Sequence, residues 1–327
     1  MTGPRSARPA ARAGLRSRPW WPWARRALNL LFLAVVAYLL VSLAKNVEWE
    51  EVLASIRRLP SILLAAAALL AMGSYALYSC FDLLGRHMTG HQLATGEVMT
   101  INFISYAFNI NLGSLIGGVA FRFRLYSRHG LDNETITRVV AMSILTNWLG
   151  YLAVAGLVFA LAPFPLPEEW KLDAGGLRWL GWLLCAIALA YLFLCARSRR
   201  RTWTLRGHEL HLPSLRLALL QFAMSSLNWL LIAGIIYLLL DRKIPYPAIL
   251  GVYLVAAIAG VITHIPAGLG VLEATFVALL SHRLASSELL AGLLAFRAIY
   301  YLIPLVVGTI VYLLIEVRAK KLANSSP

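Results

Sequence analysis

Residues 98–118 read VMTINFISYAFNINLGSLIGG, a membrane-length apolar run interrupted by Asn109, Asn111, Gly113, Gly117 and Gly118. About 20 mostly apolar residues cross the ~30 Å hydrocarbon layer as a helix. The run is long enough to cross, but its glycines and asparagines fall where a spanning helix should continue. Its flanks decide the threading. Arg86 precedes it, and Arg122, Arg124, Arg128 and Arg138 follow it. Basic loops stay in the cytoplasm. Both flanks can be cytoplasmic only if the run enters and leaves on one face, as a re-entrant hairpin of two half-helices.

The rest of the chain fits that threading. Hydrophobic residues make up 60% and charged residues 14%, against about 25% charged in soluble proteins. A surface this apolar needs lipid as its solvent, which excludes a soluble enzyme. Plain apolar spans are expected at 27–44, 61–81, 139–162, 177–196, 217–240 and 289–315. A second broken stretch, 248–280, contains His264-Ile265-Pro266-Ala267-Gly268-Leu269-Gly270. One Pro and two Gly so close together should end a helix.

The first 26 residues hold seven arginines and no acid. The loop from Arg197 to Arg216 holds six arginines against Glu209, and the chain ends with Arg318, Lys320 and Lys321. All three regions belong in the cytoplasm, whereas the acidic loops at Glu48, Glu50 and Glu51 and at Glu168, Glu169 and Asp173 belong outside. The second broken stretch then enters from outside. Each half has three crossings and one hairpin, in opposite orientations, the inverted-repeat plan of many secondary transporters. Eight plain crossings are the simpler alternative, but they leave Arg122, Arg124 and Arg128 outside.

The expected fold is therefore all-α: a polytopic integral membrane protein of about 6–8 transmembrane helices with two re-entrant hairpins in an inverted repeat. Its parts are a basic cytoplasmic tail (1–26), one transmembrane domain (27–316, pseudo-repeats 27–162 and 177–316) and a C-terminal cytoplasmic tail (317–327). The arginine-rich start and Ser42-Leu43-Ala44 resemble a signal peptide, but the run is long and further spans follow, so it reads as an uncleaved first helix. The formal net charge of +15 sits in tails and loops. No basic stripe with interleaved aromatics marks a nucleic-acid binder.

Irregular backbone in a bilayer is tolerated where protein buries it or where it lines a wet cavity. Two Gly/Pro breaks in matching halves therefore mark a candidate transport site, with helix packing as the competing explanation for the small residues. Asn102, Ser105 and Asn109 share one helical face, so that face should meet protein or water. Glu273 and Arg297 lie in apolar surroundings, each costing about 2.5–3.5 kcal/mol at a helix centre. They are expected to pair, or to hold a polar substrate group together. The alternative is that Arg297 reaches the interface along its stem.

Arg122 and Arg124 suit phosphate oxygens, since guanidinium forks bind them in pairs. From charge alone, ordinary positive-inside bias explains them better. His87 and His91 are four apart, but no acid or cysteine lies near enough in sequence to complete a metal site. Cys80, Cys185 and Cys195 lack C-x-x-C spacing and read as small apolar residues. Glu273 is the only deep acid identified. No G-x-S-x-G, Walker loop or zinc cluster occurs, so no catalytic set, metal or cofactor is expected.

Asn111-Leu112-Gly113-Ser114-Leu115-Ile116-Gly117-Gly118, leading into Arg122-Phe123-Arg124-Leu125-Tyr126, resembles one signature of the lysylphosphatidylglycerol synthase transmembrane-region family. Pro266-Ala267-Gly268-Leu269-Gly270-Val271-Leu272-Glu273-Ala274 resembles a second, P-x-G-x-G-x-x-E-A. The resemblance implies a membrane domain that flips aminoacylated phospholipid between leaflets. It makes Gly113, Gly118, Arg122, Arg124, Tyr126, Pro266, Gly268, Gly270 and Glu273 the motif positions, to which the residue reading adds Asn102, Asn109, Asn111 and Arg297.

Family members with a soluble synthase domain carry it after the membrane region. It is expected to be missing here, since Pro327 lies eleven residues after Glu316. The expected function is a lipid flippase or transporter of a bacterial cytoplasmic (inner) membrane, with both termini cytoplasmic. Its substrate would be a phospholipid or lipid-linked head group. A homo-oligomer and an envelope-lipid enzyme are open as partners. The alternatives are a non-catalytic membrane partner of such an enzyme and a membrane-embedded lipid transferase.

Overall fold

The computed structural model describes residues 49–164, 166, 173–198, 202–205, 208–263 and 268–325, with 31, 34, 38 and 41 singly. The chain divides into two compact units, Met1–Trp49 and Glu50–Pro327. The basic tail (1–26) and all but four helical positions of the first expected span (27–44) lie outside the described residues. So does Pro266.

The second unit is built from helices in the order α1 (Trp49–Arg58), α2 (Ser61–Ser79), α3 (Phe81–Thr89), α4 (Thr95–Leu112), a π-helical turn (Ser114–Ala120) and α5 (Phe121–Arg128). There follow α6 (Asn133–Leu161), α7 (Ala174–Arg197), α8 (Leu215–Leu239), α9 (Tyr246–Thr263), α10 (Val271–Leu280), α11 (Ser286–Phe296), a second π-helical turn (Arg297–Leu302) and α12 (Ile303–Ser325). The last helix therefore runs well into the segment expected to be a tail.

Among the described residues, six helices are long and apolar enough to cross a membrane: Ser61–Thr89, Asn133–Leu161, Ala174–Arg197, Leu215–Leu239, Tyr246–Thr263 and Ser286–Arg318. Five of these match plain spans read from the sequence. The sixth is the first arm of the second broken stretch. The protein is thus all-helical and polytopic, with one addition. Thr202–Leu205 and His208–His211 form an antiparallel pair of short strands within the arginine-rich loop.

Helix ends follow local chemistry. The Asp132 carboxylate accepts from Glu134 N and Thr135 N, both at 3.1 Å, and so starts α6. Asp173 does the same for Gly176 N at 2.7 Å, and Ser214 for Leu217 N at 3.3 Å. These oxygens satisfy amide groups that have no partner inside the helix. Lipid-facing sides stay apolar and exposed, most plainly on α7 with Trp179 at 77% and Phe193 at 69%. The core lies between α2, α8, α10 and α11, around Tyr75, Phe276 and Phe296.

The stretch 98–118 is not a straight rod. Gly113 has φ +87°, where a side chain would strain the backbone, and there the chain reverses. Phe108 stacks on Phe121 at 4.1 Å, and Arg122 reaches back to Asn102. A continuous helix would separate those last two by about 30 Å. Gly117 makes the tight return possible, since a Cβ there would lie 2.1 Å from Asn109 N. In the second broken stretch, α9 and α10 also pack side by side.

Candidate functional site

The two hairpins meet on the π-helical turn 297–302. From the first, Asn111 Nδ2 donates to Tyr301 O at 3.2 Å and to Ala107 O at 2.8 Å. From the second, Glu273 forms a two-point ion pair with Arg297, Nε to Oε1 and Nη2 to Oε2, the latter at 2.9 Å. Arg297 Nη2 also donates to Gly268 O at 3.0 Å. Glu273 Oε2 accepts from Gly270 N at 3.1 Å and so starts α10. The Arg297 guanidinium lies 5.4 Å from the Tyr301 ring centroid, within cation–π range.

Geometry explains why this turn gathers partners. A π-helical turn disturbs the regular backbone ladder and is common at functional sites. Side chains supply donors here: Tyr75 OH to Tyr300 O at 3.0 Å and Asn111 to Tyr301 O. The expected pairing of Glu273 with Arg297 is present, at side-chain exposures of 15% and 10%. Space opens at the hairpin tips. A Cβ on Gly113, Gly268 or Gly270 would meet nothing within 4 Å, and Leu115 and Ile262 are 79% and 70% exposed.

A second cluster lies apart, at the base of the first hairpin. Arg122 Nε donates to Asp82 Oδ2 at 3.0 Å, Nη1 to Gly118 O at 2.8 Å, and Nη2 to Asn102 Oδ1 and, at 3.2 Å, to Ser143 Oγ. Tyr126 OH donates to the same Asp82 oxygen at 2.9 Å. Asn102 donates to Tyr78 O at 2.8 Å, so the polar face of α4 meets protein. Asp82 is fully buried, which corrects the expectation that Glu273 is the only deep acid. Every nitrogen of Arg122 bonds one of the protein's own oxygens, and its side chain is 2% exposed. Arg124 and Arg128 face Glu316 on α12, with Arg128 Nη1 at 2.6 Å and Arg124 Nη2 at 3.6 Å.

Sequence reading also missed a polar thread through the core. Ser74 Oγ donates to Asn228 Oδ1 at 2.7 Å, and Tyr300 OH lies 2.8 Å from both Ser74 Oγ and Tyr106 OH. Serine and tyrosine on apolar helices carry no periodic signal beyond ordinary packing. The missed Asp82 had one: it follows Phe81 without a turn residue, inside what proved to be a 29-residue helix.

A family profile described as the lysylphosphatidylglycerol synthase TM region matches residues 29–308. The chain belongs to that family. Among relatives of this TM-region family, the inner membrane protein YbhN of Escherichia coli is 47% identical over 308 residues, covering 94% of this chain and 97% of the relative. An uncharacterized protein of Synechocystis is 32% identical, covering 79% of this chain and 80% of its own length. The phosphatidylglycerol lysyltransferase of Staphylococcus haemolyticus is 23% identical over 86% of this chain, but the match spans 32% of that enzyme.

The candidate site residues thus split between two places. Asn111, Gly113, Gly268, Gly270, Glu273 and Arg297 gather at the hairpin tips and the π-helical turn. Asn102, Gly118, Arg122 and Tyr126 form the Asp82 cluster. Half-buried Asn109 sits in the first hairpin, its Oδ1 3.0 Å from where a Gly118 Cβ would stand. Arg124 belongs to the Glu316 pair.

Proposed function

We propose that this protein carries a phospholipid or lipid-linked head group between the leaflets of the bacterial inner membrane. The observation that carries this reading is the convergence of two broken-helix hairpins on one π-helical turn that holds the Glu273–Arg297 pair. Charges and open backbone at membrane depth suit a polar group that must cross hydrocarbon. In this reading the hairpins dip into the bilayer from opposite faces, and both termini are cytoplasmic. The tips shelter the head group while the acyl chains stay in lipid. The names of two relatives agree with this setting, one an inner membrane protein and the other an enzyme of phosphatidylglycerol. The reading assigns carriage to this chain and no chemistry on the lipid, so the enzyme that makes the lipid is a natural partner.

The test is purified full-length protein in liposomes containing fluorescent phosphatidylglycerol or phosphatidylethanolamine, with an external quencher that reads leaflet exchange. Exchange above protein-free liposomes is expected, with Glu273→Gln and Arg297→Gln slowing it by roughly tenfold or more. Wild-type protein that moves no lipid of any class tested would refute the reading.

A further inference from the structure

Two cavities share the walls of one helix pair. The first, about 400 Å³, lies where α3 ends and α4 begins, and is lined by Arg86, His87, His91, Gln92 and Thr95, with Leu83 and Gly90. It presents a guanidinium, two imidazoles, an amide and a hydroxyl, and no carboxylate lines it. Arg86 Nη1 donates to Thr95 Oγ1 at 2.9 Å, which fixes the guanidinium at the rim. His91 Nδ1 accepts from Leu93 N at 3.4 Å, leaving Nε2 as the N–H of the neutral ring. That Nε2 is buried with no hydrogen-bond partner among the described residues. A donor set of this kind fits a phosphate oxygen.

The second cavity, about 620 Å³, is apolar. Met72 and Ala76 of α2, Met99 and Phe103 of α4, and Ile303 and Val307 of α12 form its sides. Met72 is 62% exposed, so it opens sideways toward lipid. The two cavities are consecutive. Met72, Ala76, Ser79, Leu83 and Arg86 follow one another at three- and four-residue steps on one face of the helix Ser61–Thr89. Phe103, Met99 and Thr95 do the same on α4. The helices run antiparallel, with Asn102 bonded to Ser79 O and Arg86 to Thr95. From Met72 to Arg86 the path is about 21 Å, enough to follow an acyl chain through one leaflet of about 15 Å.

We propose that this face is the entry site for an anionic phospholipid, its phosphate held by Arg86 and His91 and one acyl chain lying in the Met72–Met99–Val307 groove. The inference rests on the reading of the chain as a lipid carrier and names the lipid class and its point of entry. A free phosphate would use the head cavity alone. Continuity with the groove favours the lipid.

The test uses the full chain in detergent, with dioctanoyl phosphatidylglycerol, neutral dioctanoylglycerol and inorganic phosphate as probes in a thermophoretic binding assay. The double variant Arg86→Gln/His91→Gln should weaken phosphatidylglycerol binding by ~10-fold or more and leave dioctanoylglycerol unchanged. Arg283→Gln, an exposed cation elsewhere, should change neither. Shortening the chains from eight carbons to six should weaken the wild type, which reads the groove without a mutation, and Ala76→Trp should weaken both lipids. Equal phosphatidylglycerol affinity in the double variant, or independence from chain length, would overturn the site. So would inorganic phosphate that displaces the lipid at equal concentration. If the wild type binds as described yet moves no lipid in liposomes, carriage fails and the site stands. If the double variant binds and moves lipid like the wild type, the site fails and carriage stands.

Discussion

Arg122 Nε and Asp82 Oδ2 meet at 3.0 Å with side-chain exposures of 2% and 0%, tying the returning arm of the first hairpin to the end of the first described span. Two ions are stable at such depth only if each is paired and further hydrogen-bonded. Arg122 meets that condition through Asn102, Ser143 and Gly118, and Asp82 adds Tyr126. Removing one partner strands the other, so Asp82→Asn and Arg122→Gln should each destabilise the protein by about 3–5 kcal/mol. The joint change Asp82→Leu/Arg122→Met should recover part of that loss, because no charge is left alone. Denaturation in detergent, read by loss of helix signal, checks the ordering.

The hairpin itself can be tested at its two glycines, which are needed for different reasons. Gly117 faces the Asn109 and Phe108 backbone at 2.1–2.3 Å from an added Cβ. No side-chain rotation relieves that, so Gly117→Ala must push the arms apart. Gly113 has free space around it and only an unfavourable φ, which costs about 1–3 kcal/mol for another residue. Gly117→Ala should therefore lower the melting temperature more than Gly113→Ala, and it alone should increase proteolysis between the arms.

The spans were legible because lipid demands long apolar helices, and the Glu273–Arg297 pair was legible because two lone charges in apolar runs need each other. Arginines on both flanks of 98–118 pointed to a reversal within it but not to its place, which is Gly113. Asp82 left one trace, its place after Phe81 with no turn residue between, but its pairing was not legible, because the partner is forty residues away. The π-helical turn at Arg297 was hidden too, because its stabilising donors, Tyr75 and Asn111, come from remote helices. Charge counting also did not reveal that Arg122 faces Asp82 and Arg124 faces Glu316.

Glu316 links the last helix to the first hairpin through Arg128 Nη1 and Nη2 at 2.6 and 2.8 Å. Arg128 is 29% exposed, and pairs open to solvent contribute about 1 kcal/mol or less. Glu316→Gln should cost more than an open pair would, because Arg124, only 9% exposed, faces the same carboxylate. If the first hairpin moves against α12 during carriage, the same change should alter the lipid exchange rate and make it less sensitive to salt, as liposome assays at low and high ionic strength would reveal.

Glu273 has two tasks, pairing with Arg297 and accepting the Gly270 amide. Glu273→Gln keeps an acceptor for the amide and loses the charge, whereas Glu273→Ala loses both. The alanine variant should therefore be the less stable of the two, by about 0.5–2 kcal/mol, the usual cost of a lost helix cap. Exchange of the charges, Glu273→Arg with Arg297→Glu, should restore some transport only if the pair acts as a unit, because the swapped Arg loses the cap. Comparing melting curves with exchange rates for the three variants separates the two tasks.

His91 gives the fold a pH response. Burial, and then the neighbouring Arg86 charge, hold its pKa below the ordinary histidine value, with Asp82 opposing more weakly. The Tyr126 ring stands 6.1 Å away on α5 and adds no charge. A lowered pKa means that the folded state prefers the neutral ring. Its contribution to stability is complete above the unfolded value and is lost as pH falls through the folded one. Melting temperature should fall between about pH 7.5 and pH 5, the range in which imidazoles titrate, and His91→Gln should flatten that part of the profile. Occupation of the cavity by an anionic phospholipid reverses the sign, since a phosphate offsets Arg86 and favours the charged ring. With dioctanoyl phosphatidylglycerol present the wild type should hold its melting temperature toward pH 5 better than without it. His91→Gln should lose that ligand-dependent difference, and an equal lipid effect at both pH values would rule out the histidine as the phosphate's partner.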